Sequence, residues 1–426
     1  QRQYPFPRQI KFSILVPLYN TPEDFLKEMI ASVQAQTYSN WELCLADGSD
    51  DEHRQVGQIV AGFQQQDGRI QYRKLERNLG ISGNTNACIE MASGDYIALF
   101  DHDDLLHPSV LYENMKAICE QGADFIYTDE LTFQGSTKNI TVAHFKPDFA
   151  IDNLRANNYI CHFTVFQKSL LEKVGLFRSE CDGSQDFDMV LRLTEQAQKI
   201  VHIPKPLYFW RSHAQSVASS VGAKPYVIQA AKKAIGDHLK RVGLDGEVLD
   251  SVVPSMYRLK YEIKGEPLIS ILIPNKDHVS DLRKCIVSIQ EKTSYPNYEI
   301  IVIENNSEEE KTFQYYQLLE KRRNIRVVCW NGKFNYSAIN NFGYTFAKGE
   351  YILLLNNDTE VISADWLQEM LMYAQRGDVG AVGAKLYYSD NTVQHGGVVL
   401  GVGGVAAHLH CNRQKEDPGY MGRLIY

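Results

Sequence analysis

The sequence lacks several features that would define its class. Its eight cysteines form no C-x-x-C pair and are too scattered for the disulfide framework of a small secreted domain, so we expect a reducing compartment. Lysine and arginine number 44 against 52 acidic residues, and without a basic excess general nucleic-acid binding is disfavoured. The longest weakly polar run, 396–407, is too short and too rich in glycine to cross a bilayer. We therefore expect a cytoplasmic protein, soluble or attached peripherally to the inner face of the cell membrane.

The first strand-to-helix junction lacks glycine. Residues 11–16 predict a strand that runs directly into Pro17, Leu18, Tyr19 and Asn20. A dinucleotide-binding turn needs glycines at this junction to bring the backbone close to the pyrophosphate. A nicotinamide-dependent dehydrogenase is therefore disfavoured.

Strands alternate with helices along the chain, and this order predicts a parallel α/β sheet. The pattern then returns in a second copy. ISILIPNKD at 269–277 echoes FSILVPLYN at 12–20, ENNS at 304–307 echoes ADGS at 46–49, and GEYILLLNND at 349–358 echoes GDYIALFDHD at 94–103. Because both the order and the spacing hold, the sequence predicts tandem α/β domains at 1–222 and 267–426, joined by a structured connector at 223–266.

An acidic motif follows the strand predicted at 96–100. Asp101 and Asp103 are two residues apart, so in an extended chain both side chains project to the same side and can address one cation or one diphosphate. Carboxylate oxygens suit Mg²⁺ or Mn²⁺. The alternative for an isolated D-x-D is a solvated acidic loop before a helix, and we expect Asp104 to cap that helix.

Five motifs in order resemble family 2 of the inverting glycosyltransferases: SILVPLYN, a strand ending in Asp-Gly-Ser, N-L-G-I-S, GDYIALFDHDD and DGSQDFDMVLRL. The resemblance implies an α/β fold of two tandem GT-A domains, which bind nucleotide sugars. It covers 12–217 as a complete domain and 268–426 as an incomplete one. The tandem arrangement is similar to bifunctional bacterial enzymes that build cell-surface glycans. The implied activity is metal-dependent transfer of a sugar from a nucleoside diphosphate, expected to be a UDP- or dTDP-sugar, to a hydroxyl of a growing glycan or lipid-linked glycan.

The resemblance also implies roles for individual residues of the first copy. Asp47 would accept a hydrogen bond from the nucleotide base, with Pro17 and Tyr19 forming the neighbouring wall of the base and ribose pocket. Asp103 would ligate the Mn²⁺ or Mg²⁺ ion. Asp101 would contact the ribose or a metal-bound water and is a second metal candidate.

The acceptor half of the implied site lies later in the chain. Asp186 matches the second residue of the family's Glu-Asp motif and would be the base that takes the proton from the acceptor hydroxyl; a helix cap is the alternative. Gln185 replaces the glutamate of that motif. His213, within W-R-S-H, resembles a histidine that completes the metal or diphosphate site in some members, the alternative being a structural histidine. His162 either approaches the acceptor or completes a hydrogen bond in the core.

The second copy departs from this pattern. Asn305 stands in the place of Asp47, and Asp358 is the retained acidic metal candidate at the end of Asn-Asn-Asp. Fewer residues follow Asp358 than separate Asp103 from Asp186, so the counterpart of the base is missing. We expect a second copy that is truncated or partly disordered and inactive by itself, although able to bind a nucleotide.

Other functions share parts of the pattern. A sugar-phosphate nucleotidyltransferase has the same type of sheet, but its glycine-rich, arginine-bearing phosphate loop is not seen at 17–20. A processive membrane synthase is disfavoured because neither Q-x-x-R-W nor membrane helices are found. A nucleotide-sugar-binding scaffold without activity is an option for the second copy. The sequence leaves the sugar, the acceptor linkage and the oligomeric state open, and it allows an oligomer.

Overall fold

The computed structural model describes residues 6–213 and 225–425. Its residue contacts divide the chain into two compact units, here called unit 1 and unit 2. Unit 1 comprises the residues up to Lys260 together with those from Glu416 onward, and unit 2 comprises Tyr261–Lys415. The connector predicted at 223–266 is therefore part of unit 1 as far as Lys260, and so is the end of the chain that was predicted in the second copy.

Strands and helices alternate through the first half of unit 1, as the sequence predicts. In chain order the elements are β1 (Phe12–Leu18), α1 (Glu23–Gln34), β2 (Trp41–Asp47), α2 (Gln55–Gln66), β3 (Ile70–Lys74), α3 (Gly80–Met91), β4 (Tyr96–Leu99), β5 (Leu105–Leu106), α4 (Val110–Gln121), β6 (Phe125–Gln134), β7 (Ser136–His144), α5 (Ile151–Ala156), β8 (Thr164–Gln167), α6 (Leu170–Val174), α7 (Gln185–Gln196), β9 (Ile200–Arg211), α8 (Pro225–Arg241), β10 (Gly246–Asp250) and β11 (Tyr257–Tyr261).

The described part of unit 1 contains a nine-stranded sheet with the order β3-β2-β1-β4-β8-β6-β9-β5, and β7 pairs with β6. The first four strands are parallel, with Phe12 opposite both Trp41 and Tyr96. β1 and β2 are apolar and buried along nearly their whole length because helices cover both faces of a parallel sheet. Only Ile70 of the edge strand β3 is buried.

The second half of the sheet contains antiparallel pairs and supplies the other wall of the site. β8 pairs antiparallel with β4 and with β6, and β5 pairs antiparallel with β9. β6 and β9 are long and run parallel to each other. One core joins the two halves through Phe100, Phe163 and Tyr208, whose rings pack edge to face or stacked. The fold is α/β, as the sequence predicts, with a sheet that is parallel in its first half and partly antiparallel in its second.

Unit 2 repeats the first four strands of unit 1. Its elements are β12 (Ile269–Asn275), α9 (Val279–Lys292), β13 (Tyr298–Glu304), α10 (Glu310–Leu319), β14 (Ile325–Cys329), α11 (Tyr336–Tyr344), β15 (Tyr351–Leu354), α12 (Trp366–Ala374), β16 (Leu386–Tyr387), β17 (Val393–His395), β18 (Val398–Leu400) and β19 (Ala406–His408). The order β14-β13-β12-β15 matches β3-β2-β1-β4, and Ile269 lies opposite Tyr298 and Tyr351 as Phe12 lies opposite Trp41 and Tyr96.

A buried hydrogen-bonded motif recurs at the amino ends of the strands in both units. In unit 1, Gly94 N donates to Ser13 Oγ at 2.8 Å, and Ser13 Oγ donates to Glu42 at 2.6 Å. In unit 2, the corresponding bonds join Gly349, Ser270 and Glu299 at 2.8 and 2.7 Å. A Cβ at either glycine would lie 2.6 Å from a backbone carbonyl oxygen, so only glycine fits. The sequence repeat therefore reflects a repeated strand packing.

The units differ after their fourth strand. In unit 1, β4 pairs on its other side with β8, whereas in the described part of unit 2, β15 pairs with β12 alone. Beyond α12, unit 2 continues as two short antiparallel pairs, β16 with β17 and β18 with β19. The structure describes all residues of unit 2. Among them, the strands that repeat those of unit 1 are the first four.

Two smaller expectations concern helices. None of the helices in the described ranges has both the length and the apolar content needed to cross a lipid bilayer. The sequence Thr21-Pro22-Glu23 predicts a helix start with Thr21 as the cap, but Thr21 does not cap α1. Its hydroxyl instead forms a hydrogen bond of 2.6 Å with His102 Nδ1, at the acidic motif.

Candidate active site

The carboxyl ends of β1, β2 and β4 lie side by side at one edge of the unit 1 sheet, where open α/β sheets bind ligands. Asp47 ends β2 and is 1% exposed. Its carboxylate accepts hydrogen bonds from the Ser49 amide at 2.8 Å and from the Tyr72 hydroxyl at 2.7 Å, and Lys74 Nζ lies 3.4 Å away. These donors hold the carboxylate in one orientation at the carboxyl end of β2.

The other two residues predicted for this pocket lie beside Asp47. Pro17 of β1 lies opposite Ala46, the residue before Asp47 in β2. Tyr19 follows the end of β1, and 47% of its surface is exposed. Tyr19 therefore offers an open aromatic face at the place where the sequence predicts a base and ribose pocket. The structure brings all three predicted residues to the same strand ends.

Gly48 lets the N-L-G segment fold against the end of β2. A Cβ at Gly48 would lie 2.8 Å from Asn84 Nδ2. Asn84 in turn accepts a hydrogen bond from the Leu79 amide and donates one to Asn78 Oδ1, both at 3.0 Å. Two motifs that are far apart in the sequence thus form one wall, because glycine leaves room for the asparagine side chain between them.

The acidic motif forms a turn directly after β4. Asp103 Oδ2 lies 2.8 Å from His213 Nε2, at the end of β9. Asp101 Oδ2 lies 3.7 Å from His162 Nε2, and the His162 ring stacks on Tyr208 with ring centroids 4.7 Å apart. The structure therefore brings His213 to the acidic motif. His162 lies beside Asp101, and its ring is held by a core aromatic.

Asp104 does not cap the next helix, and that prediction is wrong. The side chain is buried, and its carboxylate accepts hydrogen bonds from the Tyr208 hydroxyl at 2.5 Å and the Arg211 amide at 2.6 Å. Burial, together with the charges of Asp103 and Asp101, raises the pKa of Asp104 well above its usual value. Arg211 also donates to the carbonyl oxygen of Asp103 at 2.6 Å. Asp104 therefore anchors the acidic turn to β9.

Asp186 lies in the first turn of α7, and its carboxylate does not cap that helix. Its Oδ2 accepts a hydrogen bond from Asn158 Nδ2 at 2.8 Å and lies 3.9 Å from Cys161 Sγ. The neighbouring Gln185 side chain turns back and accepts from the Gly183 amide at 2.9 Å. The loop that contains Asn158 thus holds the Asp186 carboxylate, whereas the Gln185 side-chain oxygen binds the Gly183 amide.

The two halves of the predicted site face each other. Partial burial and the negative charges of Asp103 and Asp186 raise the pKa of Asp101 above its usual value, although the charge of His162 opposes them. The Asp101 side chain keeps 47% of its surface exposed. Asn158 contacts Asp186 and His162 contacts Asp101, and both belong to one five-residue stretch, 158–162. The acidic motif and Asp186 therefore line one site.

The donor set fits a hard divalent cation. One ligand atom each from Asp101, Asp104 and His162 lie within 4.8 Å of one another, and Asp103 with His213 offers a second oxygen and nitrogen pair. Carboxylate oxygens with imidazole nitrogens suit Mn²⁺ or Mg²⁺. Both Asp104 oxygens already accept hydrogen bonds, which leaves Asp101, Asp103 and His213 as candidates to hold a cation and Asp104 as a residue that orients the turn.

In unit 2 the strand register corrects one predicted correspondence. Glu304, not Asn305, ends β13 opposite Asn275, as Asp47 ends β2 opposite Leu18. The Glu304 carboxylate accepts from the Ser307 amide at 2.5 Å and the Tyr316 hydroxyl at 2.6 Å, the same two kinds of donor that hold Asp47. The sequence comparison missed this because unit 2 has one extra residue between the carboxylate and the serine. The Asn305 side chain instead donates to Gly332 O at 3.2 Å.

The acidic turn of unit 2 is weaker than that of unit 1. Asp358 follows β15 at the place of Asp103 and is exposed. Asn357, at the place of His102, donates a hydrogen bond to Asn275 Oδ1 at 2.6 Å. The group of metal-ligating side chains found among the described residues lies in unit 1. Unit 2 thus retains the pocket carboxylate but presents a single exposed acid where a cation would bind.

Several residues of the site were not found from the sequence. Asn158, Tyr208 and Arg211 contact Asp186, Asp104 and the acidic turn, yet they carry no spacing pattern that links them to an aspartate distant in sequence. Tyr208 and Arg211 lie on β9, three residues apart and just before His213. The W-R-S-H motif therefore indicates this strand but does not predict which residues Tyr208 and Arg211 contact.

Comparison with known proteins adds independent information. Residues 13–175 and 270–400 match the family described as Glycosyl transferase family 2. The chain is 44% identical over 418 residues to "Uncharacterized protein y4gI" of Sinorhizobium fredii, covering 97% of this chain and 46% of that protein. It is 36% identical over 406 residues to "O-antigen biosynthesis protein RfbC" of Myxococcus xanthus, covering 94% of this chain and 31% of that protein. This chain therefore spans less than half the length of either relative.

A solved structure, S. aureus TarS residues 1–349 in complex with UDP-GlcNAc, is similar with a TM-score of 0.46 and 20% identity. The similarity covers 54% of this chain and 66% of the TarS chain. Both segments matched to the family fall on the repeated strands described above, one in each unit.

Proposed function

Because this chain belongs to glycosyl transferase family 2, we propose that unit 1 is a metal-dependent inverting glycosyltransferase. It transfers a sugar from a nucleoside diphosphate donor to a hydroxyl of a growing cell-surface glycan or lipid-linked glycan. The observation that carries this proposal is the convergence of Asp101, Asp103 and His213 on one side of a site with Asp186 on the other. A metal-dependent inverting transfer needs a cation beside the leaving diphosphate and a base beside the acceptor hydroxyl.

Asp186 is the base in this proposal. The acceptor oxygen forms a bond to the anomeric carbon from the face opposite the diphosphate, the bond from that carbon to the phosphate oxygen breaks with its electron pair on the diphosphate, and the acceptor proton passes to Asp186. An ordinary carboxylate with a pKa of about 4 is a weak base, so its position at hydrogen-bond distance matters most. Asn158 supplies that position by holding one carboxylate oxygen and leaving the other available.

Asp101, Asp103 and His213 hold the cation in this proposal, and Mn²⁺ or Mg²⁺ fits their donor atoms. A bound divalent cation stabilises the negative charge that develops on the leaving diphosphate. Arg211 and Tyr208 keep the acidic turn in place through Asp103 O and the Asp104 carboxylate. Asp47, Pro17 and Tyr19 form the pocket for the base and ribose at the adjoining strand ends.

The substrate class is proposed from the same site and from the relatives. UDP- or dTDP-sugars are the expected donors. The similarity to a protein whose name assigns it to O-antigen biosynthesis supports a polysaccharide acceptor of the bacterial surface. We place the reaction on the cytoplasmic side of the cell membrane, where a lipid-linked acceptor is reached by peripheral attachment.

The experiment is transfer and donor hydrolysis with UDP-, dTDP- and GDP-sugars in the presence of Mn²⁺, comparing the wild type with Asp186→Asn. The substitution keeps the shape of the side chain and its contact with Asn158 while it removes the base, so we expect transfer to fall by about 10²–10⁴-fold. Glu90→Gln, an exposed carboxylate of α3 paired with Arg73, is the matched control and should retain full activity. Undiminished transfer by Asp186→Asn would contradict the assignment.

For unit 2 we propose nucleotide binding without transfer. The observation in favour is Glu304, which is held by a serine amide and a tyrosine hydroxyl in the manner of Asp47. The single exposed Asp358 gives no comparable cation site, which argues against catalysis in unit 2.

A further inference from the structure

One loop connects the two halves of the site in unit 1. Residues 158–162 contact Asp186 through Asn158 Nδ2 at 2.8 Å and Cys161 Sγ at 3.9 Å, and they contact Asp101 through His162 Nε2 at 3.7 Å. The loop also binds itself, because the Cys161 amide donates to Asn158 Oδ1 at 3.4 Å. A shift of this loop therefore moves the partner of the base and the partner of the acidic motif together.

A buried lysine holds the loop from below. The Lys146 side chain is fully buried, and its ammonium donates to the carbonyl oxygen of Ile160 at 2.6 Å, to the carbonyl oxygen of His162 and to Glu130 Oε2 at 2.9 Å. All three donors of the ammonium are thus used, two of them on the loop backbone. No other side chain described in unit 1 is seen to donate to both of these carbonyl oxygens.

Glu130 holds the lysine in place through the 2.9 Å contact. Its second oxygen lies 3.1 Å from His144 Nδ1, and its side chain is 3% exposed. Burial opposes ionisation, but the charge of Lys146 and the hydrogen bond with His144 outweigh it and lower the pKa of Glu130 to about 2. Glu130 therefore stays ionised across the neutral range.

The loop backbone needs such a restraint. Cys161 has a φ of 39°, in the left-handed region that residues with a side chain rarely adopt. Its carbonyl accepts from Thr164 Oγ1 at 3.0 Å, and the carbonyls on either side accept from Lys146. Three consecutive carbonyl oxygens are therefore fixed by side chains, which pins the position of the Asn158 and His162 side chains.

We propose that Lys146 is a positioning residue, whose buried ammonium sets the 158–162 loop and thereby fixes Asp186 and Asp101 relative to each other. The proposal rests on the proposed transferase function of unit 1. It predicts that removing the ammonium impairs the base half and the cation half at once, although Lys146 touches neither aspartate. A lysine that only stabilised the fold would change stability without changing the site.

The test compares four proteins: wild type, Lys146→Met, Lys146→Met with Glu130→Gln, and Lys11→Met. The double variant removes both charges, so it avoids the unpaired buried carboxylate that the single variant leaves behind. Lys11→Met is the matched control, because Lys11 also pairs with a buried glutamate, Glu42 at 2.6 Å, but at the opposite end of the sheet. Each protein is examined by thermal unfolding, by electron paramagnetic resonance titration of Mn²⁺ with UDP present, and by kcat and KM for donor turnover.

We expect both Lys146 variants to bind Mn²⁺ about 10-fold more weakly and to lose about 100-fold in kcat, with a smaller change in the KM for the donor. The double variant should recover thermal stability but not kcat. Lys11→Met should unfold at a lower temperature while its kcat and Mn²⁺ affinity stay at the wild-type values.

The proposal is overturned if the double variant has wild-type Mn²⁺ affinity and kcat, or if Lys11→Met loses kcat and Mn²⁺ affinity to the same extent. Failure of the proposed function gives a different result, since the wild type would then turn over none of the nucleotide sugars. The Mn²⁺ titration would still decide the role of Lys146 in that case.

Discussion

Units 1 and 2 share four strands in the same order and the same register but differ in what packs against the fourth strand and the turn that follows it. The shared part carries the strand packing and the buried carboxylate, Asp47 in unit 1 and Glu304 in unit 2. The part present only in unit 1 carries β8, β6, β9 and α7. On the proposed roles, the half that would bind the nucleotide is described in both units, and the half that would perform the transfer is described in unit 1.

The residues that complete the site of unit 1 all come from that second part. β9 supplies Tyr208 and Arg211 and leads to His213, α7 supplies Asp186, and the loop before β8 supplies Asn158. The turn after the fourth strand is thus packed against other acidic and basic side chains in unit 1 and presents a single exposed acid in unit 2. The difference lies in what packs against the turn.

The glycines of the shared strand packing give the largest expected effect on stability. Gly94→Ala and Gly349→Ala each place a Cβ 2.6 Å from a backbone carbonyl oxygen, so each should destabilise its own unit by about 3 kcal/mol. We expect Gly94→Ala to reduce sugar transfer at temperatures where unit 1 begins to unfold and Gly349→Ala to leave transfer unchanged. Denaturant unfolding monitored beside activity measures both.

Gly62→Ala is the control for the glycine pair, because a Cβ there meets nothing within 4 Å and lies in the helix α2. It should be neutral or slightly stabilising. If Gly349→Ala were tolerated while Gly94→Ala was not, the two strand packings would not be equivalent.

The buried glutamate of the same motif, Glu42 in unit 1 and Glu299 in unit 2, should give the stability of the two units a different dependence on pH. Burial would raise the pKa of Glu42, but hydrogen bonds from Lys11, Ser13 and Ser93 outweigh it and lower the pKa to about 2. A lowered pKa contributes stability that is present above about pH 4.3, the usual value for glutamate, and is lost as the pH falls towards 2. In unit 2, Leu268 stands in the place of Lys11, so Glu299 lacks this ion pair.

We therefore expect Glu42→Gln to cost unit 1 about 1–3 kcal/mol at pH 7 and progressively less as the pH falls from 4.3 to 2. Glu299→Gln should cost unit 2 less at pH 7. Urea unfolding at several pH values checks this, and equal losses at pH 7 would show that the lysine contributes nothing.

The pocket carboxylates give the smallest effect. Asp47→Asn keeps the shape of the side chain but removes its charge, so UDP affinity should fall by about 10-fold in unit 1, as expected for the loss of one charge-assisted hydrogen bond. Glu304→Gln should cause a similar loss in unit 2 if that unit binds a nucleotide. Calorimetric titration of UDP shows whether the protein has one binding site or two. A single site whose affinity does not change in Glu304→Gln would contradict nucleotide binding by unit 2.

The tandem sheets could be predicted from the sequence because the apolar strands and their spacing repeat in order. Asp101, Asp103, Asp47 and Asp186 could be placed because short motifs end at strands or begin a helix. Asp104 was misjudged, since its partners lie on β9, about a hundred residues later, and no local pattern reveals them. The aligned motifs place Asn305, and not Glu304, at the position of Asp47, because a one-residue insertion shifts the motif but leaves the strand register unchanged. The contacts of Lys146 with the 158–162 loop could not be predicted, because no repeating pattern in the sequence links a lysine to the backbone carbonyl oxygens of a separate loop.

The central claim is that sugar transfer resides in unit 1 and that the acidic turn of unit 2 takes no part in it. The most direct measurement is Mn²⁺-dependent transfer by Asp103→Ala and by Asp358→Ala, prepared and assayed together. Our account predicts that Asp103→Ala loses at least about 100-fold in kcat, because a cation ligand at the leaving diphosphate is gone, and that Asp358→Ala retains wild-type kcat. Equal losses in both variants, or an active Asp103→Ala, would contradict it.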